Sequence, residues 1–178
     1  MASRARHDEK PRSDARNIVA AYVGSTRNAE TLVPAVDSLR SVCPSAALWL
    51  LWPMGVSCPP TLERHADGRI DYPVPEEARE AALRVEETVI RIAAADARVA
   101  LVFSAAGYEP FLPAYLCYLA GVPHRAAFSA EFGGRVLSAA FAPPARDGAA
   151  RHLELVRAAR SLLDGTQPAV HRSDRCDG

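Results

Sequence analysis

The chain is 178 residues long, with 49% apolar and 24% charged side chains, which is ordinary globular composition and excludes a wholly disordered or collagen-like chain. This length suits one domain, which removes roughly 70% of its surface from water without disulfide or metal staples. Twenty-one basic residues balance twenty-one acidic ones, so no global field attracts nucleic acid or an anionic membrane.

Residues 1–16 are polar, charged and aperiodic, and read as a flexible tail. They mix Asp8, Glu9 and Asp14 with five arginines and lysines and contain no apolar stretch, so they resemble neither a secretory signal nor a transit peptide. No run of eighteen apolar residues predicts a transmembrane segment, and the expected compartment is the cytoplasm. Every basic residue except Lys10 is arginine, and together with the abundant alanine this suggests a GC-rich bacterial genome.

The folded unit is expected over 17–164. Asn17–Gly24 is the first strand, followed by a helix at about Ala29–Val42 whose start Pro34 kinks or delays. Ala46–Trp52 and Val99–Ser104 are continuous apolar runs without alternation, the pattern of strands covered on both faces. Between them, Pro53–Gly68 is a long proline-rich loop with no helical pattern, and Arg69–Val74 is a weaker strand. Glu76–Ala95 places Ala78, Ala81, Ala82, Val85, Val89 and Ile92 at helical spacing. The opposite face predicts the i,i+4 ion pairs Glu80–Arg84 and Glu87–Arg91.

Pro110–Ala120 opens on proline and stops at Gly121, the expected asymmetry of helix ends. Its centre is apolar nearly all round, which predicts deep burial. His124–Ser129 and Val136–Ala142 are the last strand candidates. Ala149–Leu163 is an amphipathic helix with Leu153, Val156, Ala159, Leu162 and Leu163 on one side. Residues 165–178 read as a second tail. Strand-helix alternation of this kind predicts an α/β fold, a Rossmann-like, doubly wound, mostly parallel sheet with helices on both faces.

Chemistry is expected beyond the carboxyl ends of the strands. Gly24-Ser25-Thr26-Arg27-Asn28 follows the first strand, and its hydroxyls and backbone N–H groups suit an anion, while an ordinary strand-to-helix turn with Ser25, Thr26 or Asn28 as N-cap is the simpler reading. Ser104 to Glu109 follows the central strand, where Glu109 before Pro110 reads as a complement to a helix dipole. Glu131-Phe132-Gly133-Gly134 couples a carboxylate, suited to sugar hydroxyls, with two glycines that permit close backbone approach. There is neither G-x-G-x-x-G nor a P-loop. The four cysteines Cys43, Cys58, Cys117 and Cys176 have no zinc spacing, and Cys117 reads as a buried thiol. No cofactor and no metal are expected.

One stretch is more specific. Pro113-Ala114-Tyr115-Leu116-Cys117-Tyr118-Leu119-Ala120-Gly121-Val122-Pro123-His124-Arg125, then Ser129-Ala130-Glu131-Phe132-Gly133-Gly134-Arg135-Val136-Leu137-Ser138, resembles glycosyltransferase family 9, the family of the ADP-heptose:lipopolysaccharide heptosyltransferases. Leu32 to Pro44 looks like that family's first helix, and Arg151 to Val156 is similar to the helix leading out of its N-terminal domain. The resemblance implies one half of a GT-B architecture, the half that binds the sugar acceptor. It also implies inverting, metal-independent transfer in which a carboxylate takes the acceptor hydroxyl proton.

The family's aspartate base corresponds to Asn28 here, with Arg27 in place of the preceding glycine. An amide accepts no proton near neutral pH, so Glu30 or Glu131 becomes the substitute to look for. Two such lobes need on the order of 300 residues, which implies a nucleotide-sugar-binding half outside this chain. The expectation is an acceptor-side domain with Asn28 and Glu131 as the catalytic candidates. Gly24, Ser25, Thr26, Arg27, Ser104, Glu131, Gly133 and Gly134 are its substrate contacts. It acts with a separate donor-binding chain or as a homo-oligomer, or is catalytically degenerate. The alternative is a non-catalytic sugar- or nucleotide-binding module in a saccharide or natural-product pathway.

Overall fold

The computed structural model describes residues 17–74, 78–131 and 135–165, with the backbone alone for 78–82. The tails expected at 1–16 and 165–178 lie outside the described residues, except for Gly165. Six strands form one sheet: β1 (Asn17–Val23), β2 (Leu48–Pro53), β3 (Gly68–Tyr72), β4 (Ala97–Ser104), β5 (His124–Phe128) and β6 (Ala139–Phe141). Their order is β3-β2-β1-β4-β5-β6, and every pairing is parallel. This is the doubly wound α/β arrangement expected from the sequence. Its chain direction switches between β1 and β4, where one half of the fold runs out towards β3 and the other towards β6.

The two apolar layers follow from the side-chain period of two along each strand. Ile18, Ala20 and Tyr22 of β1, Leu48, Leu50 and Trp52 of β2, and Val99, Leu101 and Phe103 of β4 belong to one layer. Helices α1 (Thr26–Ala29), α2 (Val33–Val42), α3 (Pro60–His65), α6 (Gly148–Ala158) and α7 (Arg160–Asp164) cover that side. Val19, Ala21, Leu51, Ala100 and Val102 point the other way, under α4 (Ala78–Ala94) and α5 (Phe111–Leu119). Among the described residues no helix is long and apolar enough to cross a membrane.

Several elements differ from the sequence pattern for identifiable reasons. The segment read as a helix-free loop contains α3, which starts at Pro60 behind Pro59 and is anchored by the fully buried Leu62. Six residues with one apolar anchor are too few to show a period. Pro34 delays α2, and the chain first passes through α1 and a single 3-10 turn, Glu30–Leu32. The last helix breaks at the buried Ala159, after which Leu162 and Leu163 reach the same layer as Leu155 and Val156. The Glu87–Arg91 pair does not form. Arg91 instead donates to the Arg69 carbonyl at 3.0 Å, an exchange that costs little because an exposed ion pair contributes little. Glu80 lies where only the backbone is described.

Helix α5 is the largest correction. Pro113, Ala114, Leu116 and Cys117 are buried, but Tyr115, Tyr118 and Leu119 are each about half exposed. Apolar on all sides, α5 packs only one side against the sheet. It ends at Gly121, whose φ of 79° lets Val122 N–H reach the Cys117 carbonyl and Gly121 N–H the Tyr118 carbonyl, both at 3.0 Å. That is a Schellman cap.

Arg125 is buried although it has no carboxylate partner among the described residues. Its guanidinium donates to the carbonyls of Val122, Pro123 (3.1 Å), Arg135 (3.0 Å) and Val136 (2.6 Å). It also lies 5.2 Å from the centre of the Tyr118 ring. Ser138 closes the clamp, its hydroxyl accepting the Arg125 N–H at 2.7 Å. The arginine thus joins the end of α5 to the segment that returns to β6, and burial lowers its pKa without discharging it. Arg125→Lys replaces a planar fork by a point charge and is expected to destabilise by about 2–3 kcal/mol, measured by urea unfolding.

His152 of α6 is 2% exposed, packs edge-on to Phe103 with ring centres 5.7 Å apart, and its Nε2 has no hydrogen-bond partner among the described residues. Burial, reinforced by Arg151 and opposed by Asp147, lowers its pKa to about 4. The folded state therefore refuses a proton that the unfolded chain binds below about 6.5. The stability contribution is complete above that pH and is lost as pH falls towards 4. Unfolding free energies at pH 7 and pH 4.5 should differ by on the order of 2 kcal/mol less for His152→Leu than for the parent chain.

Candidate functional site

A cleft of about 1040 Å³ opens at the carboxyl edge of the sheet. Val23 and Gly24 border it after β1, Pro53 to Val56 after β2, Tyr72 to Val74 after β3, and Gly107 to Glu109 after β4. Leu112 and Pro113 of α5 and Arg84 of α4 complete the wall. The cleft therefore sits over the switch between β1 and β4 and opens towards the α4 and α5 side.

Of three aromatic side chains at the carboxyl ends of β1, β2 and β3, Tyr72 lines the cleft, while Tyr22 and Trp52 belong to the opposite apolar layer. Tyr22 stacks on Trp52 with ring centres 4.6 Å apart and an interplanar angle of 16°. The Tyr22 hydroxyl donates to the Ser25 carbonyl at 2.9 Å, and the Tyr72 hydroxyl donates to the Tyr22 carbonyl at 2.8 Å. Trp52 Nε1 donates to the Val56 carbonyl, also at 2.9 Å. Backbone bonds add Met54 N–H to Tyr72 and Ala105 N–H to Val23. The loops after all four strands are thereby tied together.

Burial, with the nearby Tyr108 phenol, pushes the Tyr22 pKa up to about 12. Burial raises that of Tyr72 further. Both phenols remain protonated donors and neither can serve as a base near neutral pH.

The chemistry of the cleft lies in Arg84, Tyr108 and Glu109. Glu109 is exposed in the cleft wall and makes no hydrogen bond or ion pair among the described residues. Arg84 Nη1 donates to Met54 Sδ at 3.4 Å, its one side-chain hydrogen bond among the described residues. Tyr108 is 44% exposed. A carboxylate, a guanidinium and an aromatic ring can together accept and donate hydrogen bonds to a polyhydroxylated ligand and cover its apolar face.

Of the residues singled out from sequence, Gly24 lines the cleft. Ser25, Thr26, Arg27 and Asn28 do not, because the chain turns after Gly24 onto the opposite side of the sheet. Ser25 occupies the helix N-cap without a side-chain cap bond. The Thr26 hydroxyl accepts the Ser57 N–H at 3.3 Å, and the Asn28 carbonyl accepts the Thr31 hydroxyl at 2.6 Å. Arg27 and Glu30 are exposed away from the cleft. Ser104 is buried, and its carbonyl accepts Arg151 Nε at 3.2 Å. Glu131 is exposed beyond β5 in a local turn with Ser129 and is not among the cleft residues. Gly133 and Gly134 lie outside the described residues. Arg84 gave no signal in sequence beyond its place on the polar side of a helix. Glu109 did lie at a strand end, but its place before a proline favoured a capping role.

A search of solved structures finds similarity to a glycosyl transferase family 9 structure from Veillonella parvula DSM 2008. The TM-score is 0.57 at 14% identity, over 80% of this chain and 40% of that one. The two share a fold. The chain thus spans well under half the length of the structure it matches. No protein-family model and no curated protein matches the sequence.

Gly24 shows how tightly the cleft floor is built. A Cβ at this position would lie 2.4 Å from the Tyr22 hydroxyl and 2.7 Å from its ring carbon, so Gly24→Ala must displace the ring that stacks on Trp52. The expected cost is about 1–3 kcal/mol, with a change in tryptophan fluorescence. Combining it with Tyr22→Phe, which removes the nearest atom, should give less than the sum of the two single effects.

Proposed function

We propose that this chain is the acceptor-side lobe of a family 9-like, heptosyltransferase-like glycosyltransferase in a bacterial cytoplasm, and that it holds a sugar acceptor in the cleft beside Gly24. The observation that carries the reading is the fold likeness to the family 9 structure together with an open cleft at the β1/β4 switch. Cys58 and Cys117 form no disulfide, in keeping with a reducing compartment. Transfer requires a second, nucleotide-sugar-binding lobe, because the described residues form one lobe only.

Asn28 matches the position of the family's aspartate base in the resemblance, yet it is an amide and lies off the cleft wall. The carboxylate that does face the cleft is Glu109. In this reading Glu109 accepts the hydrogen bond of the acceptor hydroxyl and takes its proton as the oxygen attacks the sugar carbon and the nucleotide leaves. Glu131 belongs to the far end of the carboxyl edge, where it would touch only an extended acceptor.

The loss of the carboxylate at Asn28 also favours a second reading, a module that binds a saccharide or nucleotide without transferring it. Both readings predict saccharide binding in the cleft. Titration of the purified chain with a panel of hexoses, heptoses and sugar acids, followed by heteronuclear NMR, should move the signals of Gly24, Gly107 and Tyr108. Glu109→Gln should weaken that binding by roughly tenfold, whereas Asn28→Asp should leave it unchanged. Turnover of a nucleotide sugar by this chain alone would overturn the single-lobe reading. Binding without turnover when a donor-binding chain is supplied would favour the non-catalytic module.

A further inference from the structure

Much of the cleft wall offers a saccharide nothing to bond. Val23, Met54, Val56 and Leu112 line it half-buried, and Val74 lines it with 47% of its surface exposed. Pro53, Pro73 and Pro113 add apolar rings to the same wall and carry no N–H. Backbone donors beside them are already committed. Met54 N–H bonds the Tyr72 carbonyl at 2.9 Å, Val56 N–H the Pro53 carbonyl at 3.3 Å and Tyr108 N–H the Ala105 carbonyl at 3.1 Å. The Tyr72 hydroxyl is committed to the Tyr22 carbonyl.

The remaining polar side chains of the described lining are Arg84, Tyr108 and Glu109, and they are unevenly placed. Tyr108 and Glu109 follow β4, whereas Met54, Val56 and Val74 follow β2 and β3, on the other side of β1 in the sheet. The cleft therefore has a hydrogen-bonding end and an apolar end. A sugar carries hydroxyls around its whole rim, and those turned to the apolar end would lose water without gaining a partner.

Arg84 reaches the apolar end, where its Nη1 meets Met54 Sδ at 3.4 Å. A planar guanidinium and a polarizable thioether side by side suit the face and edge of an aromatic ring. Three prolines fix the shape of a hollow of about 1040 Å³. Such walls suit a broad, rigid ligand, which loses less conformational freedom on binding than an acyl chain.

We propose that the ligand of this cleft carries an aromatic ring system, seated at the end walled by Met54, Val56, Val74 and Arg84, with its sugar or hydroxyl end at Tyr108 and Glu109. The polar end rests on the acceptor reading above, for which the acceptor becomes an aromatic aglycone or its glycoside in place of a bare saccharide. The test titrates the full chain with methyl, naphthyl and octyl β-glucosides and with naphthol, while heteronuclear NMR follows Gly24, Val74 and Gly107. The naphthyl glucoside should bind at least roughly tenfold tighter than the methyl glucoside, through the apolar area its ring removes from water. It should also move the Val74 signals most. The octyl glucoside should fall severalfold short of the naphthyl one. Val74→Ser should remove most of the naphthyl advantage, whereas Leu83→Ser, at a side chain 73% exposed outside the cleft, should keep it. Binding of naphthol with the methyl glucoside inert supports the aromatic site and sinks the sugar-acceptor reading. Equal affinity for the methyl and naphthyl glucosides, or for the octyl and naphthyl ones, overturns the proposal and leaves that reading standing. So does a naphthyl advantage that Val74→Ser does not reduce. Failure of every probe to bind overturns both.

Discussion

Strands β1 and β4 are sealed on both faces and paired along both edges, and the rest of the molecule is arranged around that constraint. From Ile18 to Tyr22 and from Val99 to Phe103 every side chain is buried, and β1 has β2 on one side and β4 on the other. Backbone groups in such a position have no access to water and must pair with neighbouring strands. Small residues, notably Ala20, Ala21 and Ala100, let helices approach both faces closely. With the two strands side by side, one layer closes with α1, α2, α3, α6 and α7 and the other, among the described residues, with α4 and α5.

That asymmetry accounts for both surfaces of interest. The β1 chain leaves the sheet towards the first layer, so the residues after Gly24 carry their side chains away from the cleft. The space they vacate at the carboxyl edge is walled by the loops after β2, β3 and β4 and by the starts of α4 and α5. With two helices on that side among the described residues, α5 has neighbours on one flank and presents its remaining aromatic residues outward. Tyr22, Trp52 and Tyr72 then tie the carboxyl ends of β1, β2 and β3 together through hydrogen bonds to backbone carbonyls, without a charged group.

The stretch from Pro113 to Ser138 that carries the family resemblance does chiefly structural work among its described residues. Gly121 supplies the left-handed residue of the α5 cap, and Arg125 gathers four carbonyls from two segments. A buried guanidinium satisfied only by carbonyls is a demanding arrangement, because each lost bond leaves a desolvated polar group. The combination of an apolar helix, a glycine stop and a following arginine is therefore a signature of how this lobe closes around β5. It bears on fold, and the cleft draws its carboxylate and guanidinium from elsewhere.

The amino-acid pattern by itself determined the parallel sheet, the doubly wound layering and the start and stop of α5. Continuous apolar runs, helical spacing and Pro/Gly punctuation are local signals, and burial on both faces leaves them little freedom. Short α3, the break at Ala159 and the half-exposed α5 escaped it because each depends on what packs alongside. The cleft was decided only in three dimensions. Which of Asn28, Glu109 and Glu131 faces a common space depends on the side of the sheet to which each loop turns, a choice made by layer packing and carried by no neighbouring residue in the chain.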